Sequence, residues 1–133
     1  MRQNILLLIF LIFSIAANAQ SIGDCEGAVV LCGATYSEDQ APLNEGSIVE
    51  WTGVCNDGVE QNSVWYSFTV QSDGLLAFEL DPNNLNDDYD WGLFNITEGG
   101  CAGISLQDGS SPEVSCNSWG TFGVNGATGI STA

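Results

Sequence analysis

The sequence is nearly devoid of side-chain cations. Arg2 is its only Lys or Arg, His is absent, and 17 residues are Asp or Glu. Residues 20–133 hold all of the acidic residues and none of the basic ones, so no side-chain ion pair can form within that stretch. Nucleic acid is excluded as a partner, because phosphate binding rests on Lys and Arg. An anionic membrane surface is excluded on the same ground. Most nucleophile–base pairs and oxyanion clamps are missing, and a Cys nucleophile has no His beside it. Two carboxylates suffice for a glycosidase, but no pair stands out from the acidic background. The expectation is a non-enzymatic chain that attracts cations, neutral polar ligands such as sugars, or basic proteins. High negative charge by itself also keeps an exported surface soluble.

The N-terminus reads as a leader. Arg2 precedes an almost unbroken apolar run from Ile5 to Ala17, and Ala17-Asn18-Ala19 supplies the small-x-small pattern of a cleavage site. The run falls short of the ~20 apolar residues that a membrane span needs. Gln20 stands where a lipoprotein would have Cys. Residues 1–19 are therefore expected to be a signal peptide and residues 20–133 one secreted or cell-surface domain.

The remaining stretch carries five cysteines: Cys25, Cys32, Cys55, Cys101 and Cys116. Export makes disulfides the default. A zinc site is the rival, but no His and no C-x-x-C pair is present. Cys101 and Cys116 flank a short Gly/Ser/Pro-rich stretch and are expected to pair. Cys32–Cys55 is the preferred second bridge, although spacing alone does not fix connectivity. The odd cysteine is free, paired between chains, or paired beyond this sequence.

Helical periodicity is absent, whereas strand signals recur. In Ser63–Val70, Val64, Tyr66, Phe68 and Val70 alternate with Trp65, Ser67 and Thr69, predicting an apolar inner face. Gln71-Ser72-Asp73-Gly74 reads as a hairpin turn into Leu75–Leu80. Tyr89–Ile96 is a further strand, Ser47–Trp51 and Val114–Cys116 are shorter ones, and Ala28–Leu31 is an edge candidate. The Gly-, Ser- and Thr-rich tail from Gly120 reads as a loop or as the approach to another strand. Short strands punctuated by Gly, Asn, Asp and Pro point to an all-β domain, an antiparallel β-sandwich of jelly-roll type that is incomplete at its C-terminus.

Two stretches could bind a ligand. The first is Asp81–Asp90, where Asp81, Asn83, Asn86, Asp87, Asp88 and Asp90 crowd oxygen donors together. Ca²⁺ takes six to eight such oxygens, and a cation would relieve the repulsion between them. Pro82 and Leu85 break any EF-hand spacing, and a solvated acidic turn would look the same. The second is the set of tryptophans at 51, 65, 91 and 119. Trp65 lies opposite the apolar face of its strand and Trp119 in a Gly-rich stretch. These two are candidates to stack on sugar rings, against the alternative that each packs in a core.

The same residues carry a family resemblance. Asp24-Cys25-Glu26-Gly27-Ala28-Val29-Val30-Leu31-Cys32 resembles the opening of a secreted module of large Bacteroidota surface proteins. Asn62-Ser63-Val64-Trp65-Tyr66-Ser67-Phe68-Thr69-Val70 is similar to its "NSVWYxFTV" strand. Asp81-Pro82-Asn83-Asn84 with Asn86-Asp87-Asp88-Tyr89-Asp90-Trp91 resembles its "PNxxNDDYDxAL" segment. Val114-Ser115-Cys116-Asn117 and Gly126-Ala127-Thr128-Gly129 resemble its closing elements. Such modules occur in type IX secretion cargo of the gliding-motility-associated type and are similar to pre-peptidase C-terminal domains, which are jelly-roll β-sandwiches. The resemblance implies a surface adhesion or binding module, covalently continued by further modules, with an extracellular glycan or protein as ligand. A carbohydrate-binding module attached to a hydrolase and a structural spacer are the alternatives.

Overall fold

The computed structural model describes residues 21–39, 46–48, 50, 60, 62–104, 112–118 and 125–131. The expected leader, Trp51, Cys55 and Trp119 lie outside the described residues. Among these residues there is no α-helix. Six strands form: β1 (Val29–Val30), β2 (Tyr66–Ser67), β3 (Phe78–Leu80), β4 (Trp91–Phe94), β5 (Glu113–Asn117) and β6 (Thr128–Ile130). Two short 3₁₀ turns, Cys25–Gly27 and Cys101–Gly103, accompany them. The strands pair as three two-stranded sheets, β1 with β2, β3 with β6, and β4 with β5. The domain is thus built of strands, as its alternating pattern and turn chemistry imply.

The pairing differs from the local reading. Asp73-Gly74 does not join two partnered strands. β2 runs parallel to β1 with Val29 opposite Tyr66, while β3 is antiparallel to β6 with Phe78 opposite Ile130. A turn signal fixes a change of direction, whereas side-chain packing on the two faces selects the partner. The expected inner face of Ser63–Val70 is also only partly buried. Val64 is half-buried, but Phe68 is 42% and Val70 69% exposed. β1 ends at Val30, so from Phe68 onward the segment has no described partner strand to shelter it.

Where strands do pair, residue type explains the fit. β3 points Phe78 and Leu80 inward and Glu79 out, the period-two pattern of a one-sided strand. Opposite Glu79 sits Gly129 at φ +143°, and a Cβ there would collide with the Phe78 carbonyl. Only glycine adopts this backbone without strain. Between β4 and β5 the register runs from Trp91 opposite Asn117 to Leu93 opposite Ser115, then shifts so that Phe94 faces Glu113. Val114 is the extra residue of that bulge and is exposed.

Side chains join the sheets. The Thr128 hydroxyl on β6 accepts from Trp91 Nε1 of β4 at 3.1 Å and from Asn117 Nδ2 of β5 at 3.0 Å. The Phe78 and Trp91 rings meet edge-on at 5.0 Å. Trp65, just before β2, packs against Phe94 of β4 at 5.7 Å. Ile104 is fully buried at the end of the second 3₁₀ turn, beside the disulfide.

That disulfide corrects the expected connectivity. Cys101 is bonded to Cys25, with Cα atoms 5.6 Å apart, and not to Cys116. Cys116 lies on β5 opposite Gly92 and is disulfide-bonded separately. Cys32 is an exposed free thiol, so the Cys32–Cys55 bridge does not form. Closeness in sequence suggested the Cys101–Cys116 staple. Instead, the second 3₁₀ turn brings Cys101 against the N-terminal turn, at a separation within the normal disulfide range.

Candidate functional site

The acidic loop is held mainly by its own amides. Asn84 Oδ1 accepts from the Asn86 backbone N–H at 3.1 Å and from Asn86 Nδ2 at 3.0 Å. The Asp87 N–H donates to the Asn84 carbonyl at 2.9 Å, closing a tight turn. Two carbonyls that could have faced a cation are already engaged. Asn125 Nδ2 donates to the Asn86 carbonyl at 2.7 Å and the Gly126 N–H to the Asp87 carbonyl at 3.0 Å. Asn83 turns outward to donate to the Glu38 carbonyl at 3.2 Å.

Asp81, Asn83, Asn86, Asp87, Asp88 and Asp90 are all exposed. Among the described residues no three Asp, Glu, Cys or His side chains converge as a metal shell. Asp90 senses Asp88. Partial burial, followed by the Asp88 charge, raises the Asp90 carboxyl above its ordinary value.

Trp65 does not offer a free face. It is half-buried against Phe94, and its buried indole N–H has no hydrogen-bond partner. Trp119 lies outside the described residues. Trp91 is committed to Phe78 and Thr128.

The exposed aromatic surface lies elsewhere. Tyr36 and Tyr66 meet edge-on at 5.5 Å. Their hydroxyls grip one carboxylate from both sides: Tyr36 donates to Glu38 Oε1 at 2.9 Å and Tyr66 to Glu38 Oε2 at 2.8 Å. Both rings remain exposed, as does Tyr89, whose charge when ionised acts on Tyr66. The Tyr36 hydroxyl is raised above its ordinary pKa, first by its bond to Glu38. Tyr66 is raised first by burial and then by the same bond. Both phenols stay protonated donors, which keeps the carboxylate fixed between the two hydroxyls.

β2 positions Tyr66, and the hydrogen bonds fold the 36–38 segment over it. Sequence reasoning assigns Tyr66 to an inner face and gives Tyr36 and Glu38 no role. The one signal present was the Tyr-x-Glu spacing in a stretch without strand periodicity. No helix among the described residues is long and apolar enough to cross a membrane. Compared with known proteins, the chain matches no family model, no curated protein and no solved structure.

Proposed function

We propose that this chain is a secreted, non-catalytic adhesion or binding module of a cell surface, exported by its N-terminal leader. The observation that carries the reading is the Tyr36–Glu38–Tyr66 cluster. It is an exposed pair of aromatic faces around an immobilised carboxylate, on a chain whose described residues include no side-chain cation. Such a surface favours a protein ligand that presents Lys or Arg. The cation meets Glu38 by charge and the tyrosine faces through their quadrupoles, and large amphipathic rings lose little entropy on binding.

A carbohydrate-binding role is the second reading. It is favoured by the exposed tyrosine rings, which can stack on sugars, and not by Trp65. For the fold, we infer that the three small sheets belong to a β-sandwich of jelly-roll type. The Phe78–Trp91 and Trp65–Phe94 contacts between strands of different sheets support this. Ca²⁺ remains part of the proposal for the 81–90 loop. Asp87, Asp88 and Asp90 would supply its carboxylates after a local rearrangement.

Parallel panels of basic proteins and of glycans test the function, with wild type, Tyr36→Ala and Glu38→Gln compared. Binding to basic proteins that both substitutions abolish, in folded protein, is the expected result. Glycan binding lost in Tyr36→Ala but kept in Glu38→Gln would favour the second reading. Folded wild type that binds neither panel refutes both.

A further inference from the structure

Three carboxylates are buried near one another, and the described residues include no side-chain cation. Asp24, Glu50 and Glu60 are 3%, 2% and 3% exposed. Arg2, the only basic side chain, lies outside the described residues. Buried carboxylates persist only when paired or fully hydrogen-bonded. Asp24 meets that condition, since its Oδ1 accepts from the Ser47 and Ile48 N–H groups at 2.6 and 2.8 Å. Glu60 does as well: Oε2 accepts from the Glu50 N–H at 2.8 Å and Oε1 from the Ser63 hydroxyl. Glu50 does not. Its Oε1 accepts from the Cys25 N–H at 2.8 Å, while its Oε2 is buried with no partner.

The Glu50 N–H donates to Glu60 Oε2 at 2.8 Å and both side chains are buried, which sets the two carboxyls beside each other. Two ionised carboxylates at that range repel, whereas one shared proton turns the contact into a charge-assisted bond. We propose that Glu50 carries a proton on Oε2 and donates it to Glu60, forming a buried carboxyl–carboxylate latch that is closed when protonated and opens when the proton leaves.

The latch joins three separate segments. Through Cys25 it holds the N-terminal turn and one end of the Cys25–Cys101 disulfide. Through Glu50 and Asp24 it holds the 46–50 region, and through Glu60 and Ser63 the approach to β2. The groups acting on Glu50 are Glu60, Asp24 and the opposing Cys25 N–H; Cys25 itself does not titrate. Burial first, then the bond to Glu60, pushes the Glu50 carboxyl up to about 7.

The sign follows from linkage. A folded-state value above the ordinary 4.5 means that the stabilisation is complete below pH 4.5 and is lost as pH rises through about 7. The folding constant should fall on the order of a hundredfold across that window from this group alone. Ser63, held by Glu60, leads into β2, which carries Tyr66.

Urea titrations of wild type and Glu50→Gln at pH 5 to 8.5 test the proposal. The amide that this substitution introduces keeps an oxygen to accept from the Cys25 N–H and donates its own N–H to Glu60 at every pH. The variant's stability is expected to stay nearly flat where the wild type declines. General repulsion among the remaining acidic groups affects both proteins and cancels in the difference. Should Glu50→Gln fail to fold, carboxyl ¹³C NMR of the wild type decides: Glu50 should titrate near 7, well above the exposed glutamates. Parallel pH profiles in the two proteins, or Glu50 titrating in the ordinary carboxylate range, overturn it. So does Ca²⁺ restoring wild-type stability at pH 8 without affecting Glu50→Gln, because the pair would then hold a metal ion in place of the proton.

Discussion

Removing the Cys25–Cys101 bond should cost the domain a large share of its stability. The bond spans a sequence separation of 76 residues. Closing a loop of that size removes roughly 15 cal/mol/K of chain entropy from the unfolded state, or about 4.5 kcal/mol at 25 °C. A domain of this size has only about 5–15 kcal/mol in total. The double variant Cys25→Ala/Cys101→Ala tests this by urea denaturation. At a slope of roughly 1.5 kcal/mol per molar, the midpoint should fall by about 3 M. Among the described cysteines, thiol labelling of the folded wild type should modify Cys32 and spare Cys25, Cys101 and Cys116. Trypsin has no site beyond Arg2, so peptide mapping requires a protease that cuts after Asp or Glu. The expected product joins the peptides carrying Cys25 and Cys101, with Cys116 in a different cross-link. A loss under about 1 kcal/mol, against the loop-closure value, or recovery of Cys101 bonded to Cys116, refutes the reasoning.

Two further outcomes are expected. Gly129→Ala should destabilise the domain by about 2 kcal/mol or more, because φ is +143° and the new Cβ meets the Phe78 carbonyl; an unchanged urea midpoint would contradict the β3–β6 register. If Asp87, Asp88 and Asp90 can rearrange around Ca²⁺, ten times the dissociation constant of the ion should add about 1.4 kcal/mol and raise the melting temperature, with reversal by chelator; an unchanged melting curve removes calcium from the account.

What could be read beforehand was local. Trp91–Phe94, Glu113–Asn117 and Phe78–Leu80 overlap stretches whose alternation marks strands, and Val29–Val30 falls within the edge candidate. Alternation records which residues could share a face, and that information survives in a linear string. Partners do not survive in it. β2 joins a strand well before it in the chain and β3 joins one near the end, so the Asp73-Gly74 turn pointed to a neighbour that neither strand uses. The Cys25–Cys101 bond escaped for the same reason.

The buried acids were harder still. Asp24, Glu50 and Glu60 look like ordinary surface carboxylates, and their burial depends on backbone N–H groups brought from distant segments. Tyr36 and Glu38 lie outside any periodic run, and only the fold places Tyr66 against them. The 81–90 loop, by contrast, was visible as a polar cluster, but composition could not reveal that Asn84, Asn86, Asn125 and Gly126 already consume much of its hydrogen-bonding capacity.

The strand order carries a consequence for how the chain acquires its shape. Val29 waits for Tyr66, Phe78 for Ile130, and Cys25 for Cys101. Contact order is therefore high, and such topologies assemble slowly because loop entropy is lost before the contacts that repay it form. A chain emerging N-terminus first cannot complete its first ladder until Tyr66 has appeared, nor pair β3 until Ile130 has. If the chain is exported as proposed, such late closure lets it cross a membrane unfolded and seal the Cys25–Cys101 ring only where an oxidant is present.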